Sequence, residues 1–121
     1  ELVVAVHVPR PRHQARSAFV KLGARRYLVI SIAMAAATLE IDEGHVTAAR
    51  VAVGACSAVA QRLPALEATL TGMPVNARLS QIVTPEHLAP LAPIDDLRGS
   101  AAYRQDAVTT LLRRLLAGFV S

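Results

Sequence analysis

The segment of residues 21–27 carries the densest group of side chains that could bind a ligand. It places Lys21, Arg25, Arg26 and Tyr27 around a glycine within seven residues. Arginine and lysine can contact phosphates or stabilise an electron-rich ring, and the flat face of a tyrosine can stack on such a ring. The pattern predicts either a binding loop for such a ligand or a solvated basic turn that binds nothing.

Serine and histidine, which are common catalytic and metal-binding residues, occur elsewhere in patterns that match no known site. The serines lack the G-x-S-x-G context of a hydrolase, and the histidines lack the i, i+4 spacing of a metal site. The histidines are His7, His13, His45 and His87. Surface or structural roles are therefore expected for them.

The remaining candidates are a carboxylate pair and a cysteine. Asp95 and Asp96 lie just before the last predicted helix. Capping of that helix, or pairing with Arg98, is favoured over acid–base catalysis. Cys56 lies among small residues in a predicted buried strand, where inert packing is the favoured role.

Positive charge is concentrated in the first third of the chain. Residues 2–39 contain no carboxylate, and the whole chain has a net charge of +4. The cations of this block are Arg10, Arg12, Arg16, Lys21, Arg25 and Arg26. Such a block suits nucleic acid, the phosphates of a cofactor or an acidic protein surface, and the alternative is an ordinary basic face.

Length and composition indicate a single small domain over residues 1–121, with an aliphatic core. No apolar run approaches the roughly 20 residues that cross a bilayer, and no signal peptide is evident. The single cysteine excludes an internal disulfide and an iron–sulfur site in this segment, so the expected compartment is cytoplasmic. Because a strand-like sequence follows Glu1 at once, we expect a chain excised or processed from a longer one.

The first half of the chain has the patterns of β-strands. Residues 2–8 form a Val-rich apolar run, which predicts a strand ended by Pro9 and Pro11 and followed by a polar loop. Residues 17–22 predict a second short strand that stops at Gly23.

A β-hairpin is predicted next, although its first arm is ambiguous. Residues 30–42 are Ala-rich in the middle, as in a helix, but alternate like a strand at their end. Residues 42–44 supply a turn, and residues 45–57 return as a Val- and Ala-rich strand.

Three helices are predicted in the second half. Pro64 begins the first and Gly72 ends it, Thr84 and Pro85 open a short second one, and Ser100 caps the last. The apolar stripe of the last helix consists of Val108, Leu111, Leu112, Leu115, Leu116 and Phe119. Strands followed by helices predict an α+β fold, with an antiparallel sheet of three to four strands packed against three helices.

Three sequence blocks, in order, resemble one known domain. The first is S-A-F-V-K-L-G-A-R-R at 17–26, followed by I-A-M-A-A-A at 32–37. The second is R-V-A-V-G-A-C-S-A-V-A-Q-R at 50–62, and the third, I-D-D-L-R-G-S-A-A-Y-R at 94–104, is similar to a D-x-R-x-S-x-x-Y-R signature. Together they resemble the C-terminal domain of the medium, FAD-binding subunit in the xanthine dehydrogenase/carbon monoxide dehydrogenase family of molybdenum hydroxylases.

The resemblance implies a part of an FAD-dependent oxidoreductase complex. In that family a large subunit holds molybdopterin, a small subunit holds [2Fe–2S] clusters, and the FAD subunit passes electrons to an acceptor such as NAD or a quinone. Most FAD contacts come from N-terminal domains that this sequence does not contain. No glycine-rich pyrophosphate loop is found here, and no nucleic-acid or membrane partner is implied.

By position, the resemblance also assigns residues to the loop that closes over the flavin ring. These predicted cofactor-binding residues are Lys21, Arg25, Arg26, Tyr27, Leu28 and Val29. Lys21 matches the family's lysine entering the loop, Arg25 and Arg26 match its basic pair, and Tyr27 and Leu28 match the residues nearest the flavin. Some xanthine dehydrogenases have acidic residues after the basic pair, whereas an aromatic residue there resembles the carbon monoxide dehydrogenase branch. Because of this departure, the resemblance does not predict which electron acceptor is used.

Two functions follow as hypotheses. In the first, the domain covers the flavin and helps to pass electrons from iron–sulfur clusters to an acceptor, and the isolated domain is inactive and binds FAD weakly or not at all. In the second, it is a small basic module that binds nucleic acid or an acidic protein through residues 10–26. Only four aromatic residues are present, which counts against the second hypothesis.

Overall fold

A four-stranded antiparallel sheet with strand order β1-β2-β3-β4 is the framework of the molecule. The computed structural model describes residues 2–12, 14–23, 31–92 and 100–120. The strands are β1 (Gln14–Gly23), β2 (Ser31–Asp42), β3 (His45–Gly54) and β4 (Gln61–Arg62), and the helices are α1 (Pro64–Leu70) and α2 (Ala101–Ala117). Two 3₁₀ turns, Ala77–Ser80 and Pro85–Leu88, lie between the helices. The α+β class and the antiparallel sheet are confirmed, and the predicted second helix is the single 3₁₀ turn that begins at Pro85.

The predicted hairpin is present and resolves the ambiguity of the Ala-rich segment. Glu43 and Gly44 both have positive φ, 51° and 75°, as in a type I′ turn, whose twist matches that of the strands it joins. β2 pairs with β1 on one side and with β3 on the other. The helix propensity of alanine is a weak preference, and pairing on both sides overrides it. β3 ends at Gly54 instead of the predicted residue 57, because Ala55, with φ of 66°, turns the chain out of the sheet.

The core lies between one face of the sheet and the two α-helices. On β2 and β3 alternate side chains point to this face, including Ala35, Leu39 and Val51, which are almost fully buried. α2 packs against β1 and β2, and α1 packs against β3. The opposite, outer face of the sheet exposes small side chains and Phe19, which is 63% exposed.

The ends of the helices follow the sequence signals. Pro64 is the first residue of α1, and Gly72, with φ of 91°, lies just beyond its end. The Ser100 hydroxyl accepts a hydrogen bond from the backbone N–H of Tyr103 at 3.0 Å and so caps α2. The whole predicted apolar stripe of α2 is buried. Within the described ranges no helix is both long and apolar enough to span a membrane.

The predicted strand at residues 2–8 is wrong. This segment has no regular structure, and its large apolar side chains are all 80% or more exposed. The preference of valine for strands depends on a partner strand and a buried face, and here the segment has neither in the described part of the chain. The following strand is longer than predicted and begins at Gln14, because it pairs with β2 as far as Ile41.

Arg16, a cation of the basic block, contacts the end of the chain that follows α2. The Arg16 guanidinium donates to the carbonyl oxygen of Phe119 at 2.8 Å and lies 5.6 Å from the centroid of its ring. This contact ties β1 to the residues that follow α2. Arg16 therefore has a structural role in the folded domain.

Candidate functional site

Three strand ends lie together at one end of the sheet. Gly23, the last residue of β1, pairs with Ser31, the first residue of β2, and Gly54 at the end of β3 pairs with Met34. Paired Cα atoms on antiparallel strands are about 5 Å apart. The chain therefore leaves the sheet at Gly23 and re-enters it alongside, so that both ends of the segment 24–30 are attached to the sheet at this place.

Lys21 lies two residues before this strand end. It is exposed, and its strand partner is Met34. Because side chains alternate along a strand, Lys21 shares the outer face of the sheet with Phe19, opposite the helices. The other predicted cofactor residues lie outside the described residues, and their role stays a prediction. They are Arg25, Arg26, Tyr27, Leu28 and Val29.

A β-bulge marks the place where the chain re-enters the sheet. Leu22 pairs with Ala33 but Gly23 pairs with Ser31, so Ile32 is an extra residue on β2 without a partner on β1. Bulges redirect a strand, and they are common beside functional sites. The bulge at Ile32 comes three residues after Val29, the last of the predicted cofactor residues, in the sequence.

Arg104, the last residue of the D-x-R-x-S-x-x-Y-R signature, contacts this bulge, although its sequence context alone predicted no role for it. Its side chain is buried, with the residue 3% exposed, and Nη1 donates to the carbonyl oxygens of Ile32 at 2.9 Å and Ala55 at 2.6 Å. A signal was present, because Arg104 is four residues before Val108 and so falls on the apolar stripe of α2. An arginine on a buried stripe predicts a buried cation with nearby acceptors.

Cys56 lies beside this cation and is chemically protected. It is 1% exposed, and burial raises the pKa of its thiol, while the charge of Arg104 acts in the opposite direction. A thiol with a raised pKa carries little thiolate at neutral pH and is a poor nucleophile. The predicted inert role is supported, although Cys56 follows β3 and is not part of a strand.

Two of the histidines have separate surroundings in the described part of the chain. His45 is exposed near the hairpin turn, whereas His87 is buried and accepts a hydrogen bond from the backbone N–H of Thr84 at 3.1 Å, which caps the 3₁₀ turn. Among the described ranges no group of three or more His, Cys, Asp or Glu residues could hold a metal ion. Outside those ranges lie His13, Asp95, Asp96 and Arg98.

A shallow groove adjoins the same end of the sheet. It has a volume of about 250 Å³ and runs between Leu22 on β1 and the side chains of Tyr103 and Arg114 on α2. Tyr103 is 48% exposed on its rim. The exposed Lys21 ammonium and the walls of this groove suit binding more than bond cleavage.

The sequence matches one family over most of its length. The model of the family described as CO dehydrogenase flavoprotein C-terminal domain matches residues 18–118. The putative xanthine dehydrogenase FAD-binding subunit of Escherichia coli K12 is 27% identical over 122 aligned residues, which cover 100% of this chain and 42% of that protein. The nicotine 6-hydroxylase medium subunit of Paenarthrobacter nicotinovorans is 29% identical over 96% of this chain and 40% of its own length. The chain thus spans about two fifths of the length of these relatives.

Solved structures show the same fold. A carbon monoxide dehydrogenase from Hydrogenophaga pseudoflava, which lacks the Mo-pyranopterin moiety of its molybdenum cofactor, superposes with a TM-score of 0.74 and 26% identity. That alignment covers 85% of this chain and 36% of the other chain. Quinoline 2-oxidoreductase from Pseudomonas putida 86 gives a TM-score of 0.77 at 22% identity, over 88% of this chain and 39% of the other, and supports the fold alone.

Proposed function

The chain belongs to the CO dehydrogenase flavoprotein C-terminal domain family, and we propose that it acts as the C-terminal domain of the FAD subunit of a molybdenum hydroxylase. The observation that carries this proposal is the family match over residues 18–118. The position of Lys21 supports it, because this cation stands beside the strand end from which the predicted cofactor segment leaves the sheet.

The chemistry of the side chains fits the ring of a flavin better than its pyrophosphate. A flavin gains negative charge on reduction, and the cations Lys21, Arg25 and Arg26 would stabilise that charge. Tyr27 offers a flat face for stacking on the ring. No glycine-rich phosphate loop is present in the sequence, so the pyrophosphate would be held by other domains.

The contribution of this chain to the reaction is therefore to bind, orient and shield. FAD, when bound, supplies the capacity to accept electrons and to release them to an acceptor. The cations would hold the ring in place, and the apolar side chains of Leu28 and Val29 would exclude water from it. Covering the flavin in this way would help electrons to pass from iron–sulfur clusters to the acceptor.

The partners that we propose follow from the relatives. The domain would associate with FAD-binding domains that precede it in the same subunit, a small subunit with [2Fe–2S] clusters and a large molybdopterin subunit. The relatives include FAD-binding and medium subunits, and the solved neighbours include a molybdenum enzyme. The hydroxylated substrate would then be determined by the large subunit.

We expect the isolated 121-residue chain to bind FAD with a dissociation constant weaker than micromolar. The physical reason is that it lacks a site for the pyrophosphate and contributes contacts to the ring alone. Fluorescence titration of FAD into the folded chain measures this, and a gel shift with nucleic acid at rising salt is the matched control. Sub-micromolar FAD affinity would contradict the proposal that this chain contacts only the flavin ring while other domains hold the pyrophosphate. A nucleic-acid gel shift that weakens as salt rises would favour the basic-module hypothesis.

A further inference from the structure

A single buried guanidinium joins three elements at the end of the sheet. Arg104 projects from the first turn of α2, and Nη1 donates to the carbonyl oxygens of Ile32 on β2 and of Ala55 just after β3. These acceptors are 72 and 49 residues away in sequence. The contact therefore fixes the relative positions of parts of the chain that only folding brings together.

Both acceptors lie where the regular ladder stops. Ile32 is the extra residue of the bulge, and the pairing between β2 and β3 begins only at Met34. Ala55 has a positive φ of 66°, which is unusual for a residue with a side chain. Arg104 thus supplies hydrogen bonds to carbonyls at two places at this end of the sheet where the backbone departs from regular strand geometry.

A buried arginine is an expensive way to stabilise a core. Removing a charge from water costs several kcal/mol, and apolar residues of similar volume often give equal or greater stability at such sites. What the guanidinium supplies that an apolar side chain cannot is a fixed direction toward two acceptors. The role of the buried guanidinium at this site is therefore to hold these two carbonyl groups in fixed positions.

We propose that Arg104 is a positioning residue that holds the Ile32 bulge against Ala55, and so fixes the path of the β2 backbone at Ile32 and Ala33 and of the chain at Ala55. The proposal rests on the proposed function only in so far as β2 follows the predicted cofactor residues in sequence. Arg104 acts through the backbone of its neighbours, and it contacts the sheet end from the side opposite Lys21.

Amide hydrogen exchange of the full 121-residue chain tests this with Arg104→Lys, which keeps the charge but loses the planar fork. We expect exchange at residues 22–23, 31–34 and 55–56 to accelerate about tenfold or more, because hydrogen bonds from a charged group there are lost. Exchange in α1 and in the hairpin turn should stay unchanged. The matched control is Arg113→Lys on the same helix, whose guanidinium donates to the Val83 carbonyl at 3.2 Å, away from the bulge.

Uniform acceleration of exchange across the chain would overturn the proposal, because Arg104 would then be a general contributor to stability. Unchanged exchange at the bulge would also overturn it, because Arg104 would then not hold these residues in place. If Arg104→Lys fails to fold, Arg104→Met removes the buried charge and keeps the volume, and the same local pattern is expected. The experiment contains no flavin. Its outcome is therefore independent of whether the chain contacts FAD.

Discussion

Replacing Leu112 by alanine is expected to lower the free energy of unfolding by about 3 to 4 kcal/mol. Leu112 is fully buried in the middle of α2 and belongs to the cluster that includes Ala35 and Leu39 of β2. Truncation removes buried methyl groups and leaves a cavity, because the surrounding side chains are held by the sheet and close the space only in part. Small alanine side chains on the facing strand leave few groups that could move in.

Urea denaturation followed by circular dichroism measures this effect as a shift of the midpoint at constant slope. The control is Leu112→Met, which nearly conserves volume and should cost less than about 1.5 kcal/mol. A loss below about 1 kcal/mol for the alanine variant would mean that α2 does not pack on β2 as described.

Glu67→Gln is expected to lower the free energy of unfolding by about 2 kcal/mol at neutral pH. Glu67 on α1 accepts a hydrogen bond from the backbone N–H of Val51 on β3 at 3.0 Å, and its two carboxylate oxygens accept from the Arg62 guanidinium on β4 at 2.5 and 2.7 Å. Its side chain is only 14% exposed, so it joins the helix to two strands. The neutral amide loses the charge that strengthens these bonds.

The effect of Glu67→Gln should depend on pH in a defined direction. Burial tends to raise the pKa of Glu67, but the hydrogen bonds from Arg62 and Val51 together hold it below its ordinary value of 4.5. A carboxylate with a lowered pKa stabilises the fold above that ordinary value, and the contribution is lost as pH falls through the lower pKa of the folded state. The difference between the wild type and the variant should therefore shrink on acidification below pH 4.5.

Denaturant midpoints across this pH range measure the difference. Asp106→Asn provides the control, because Asp106 is an exposed carboxylate on α2. A difference between the wild type and Glu67→Gln that stays constant down to pH 3 or so would contradict the assigned role of the carboxylate charge.

The features that the sequence predicted well are those with local causes. The turn at Glu43 and Gly44, the start of α1 at Pro64 and the cap at Ser100 depend on side chains within a few residues of each other. Their physical chemistry is therefore contained in short windows of sequence. The buried apolar stripe of α2 could be predicted for the same reason, because its residues recur with the spacing of one face of an α-helix.

The features that the sequence predicted poorly depend on distant partners. Residues 2–8 have the composition of a strand but no strand beside them in the described structure. The Ala-rich middle of the segment 30–42 left the first arm of the predicted hairpin ambiguous, and pairing with β1 and β3 decides it. The spacing of Arg104 on the apolar stripe indicates a buried cation, but its acceptors, Ile32 and Ala55, could not be predicted because only the fold brings them to it.

The structure describes only the surroundings of the predicted site. Lys21, together with Gly23 and Ser31, which flank the other predicted residues in sequence, lies at one end of the sheet with the bulge at Ile32 beside them. The assignment of Arg25, Arg26 and Tyr27 to the flavin comes from the family resemblance and stays a prediction. A test of these residues must therefore compare them with cations elsewhere on the same domain.

FAD affinity of a fused protein tests the central claim most directly. The chain is joined behind the part of the E. coli relative that it does not cover, and FAD is titrated into the fusion and into two double variants, Arg25→Ala with Arg26→Ala and Arg10→Ala with Arg12→Ala. Both variants lose two charges, but Arg10 and Arg12 lie beside Glu40, near the hairpin end of the sheet. We predict that the fusion binds FAD with sub-micromolar affinity, and that the first variant weakens binding about tenfold or more while the second leaves it unchanged. A fusion that binds no FAD, or two variants that weaken binding equally, would contradict the assignment of this chain to the flavin site.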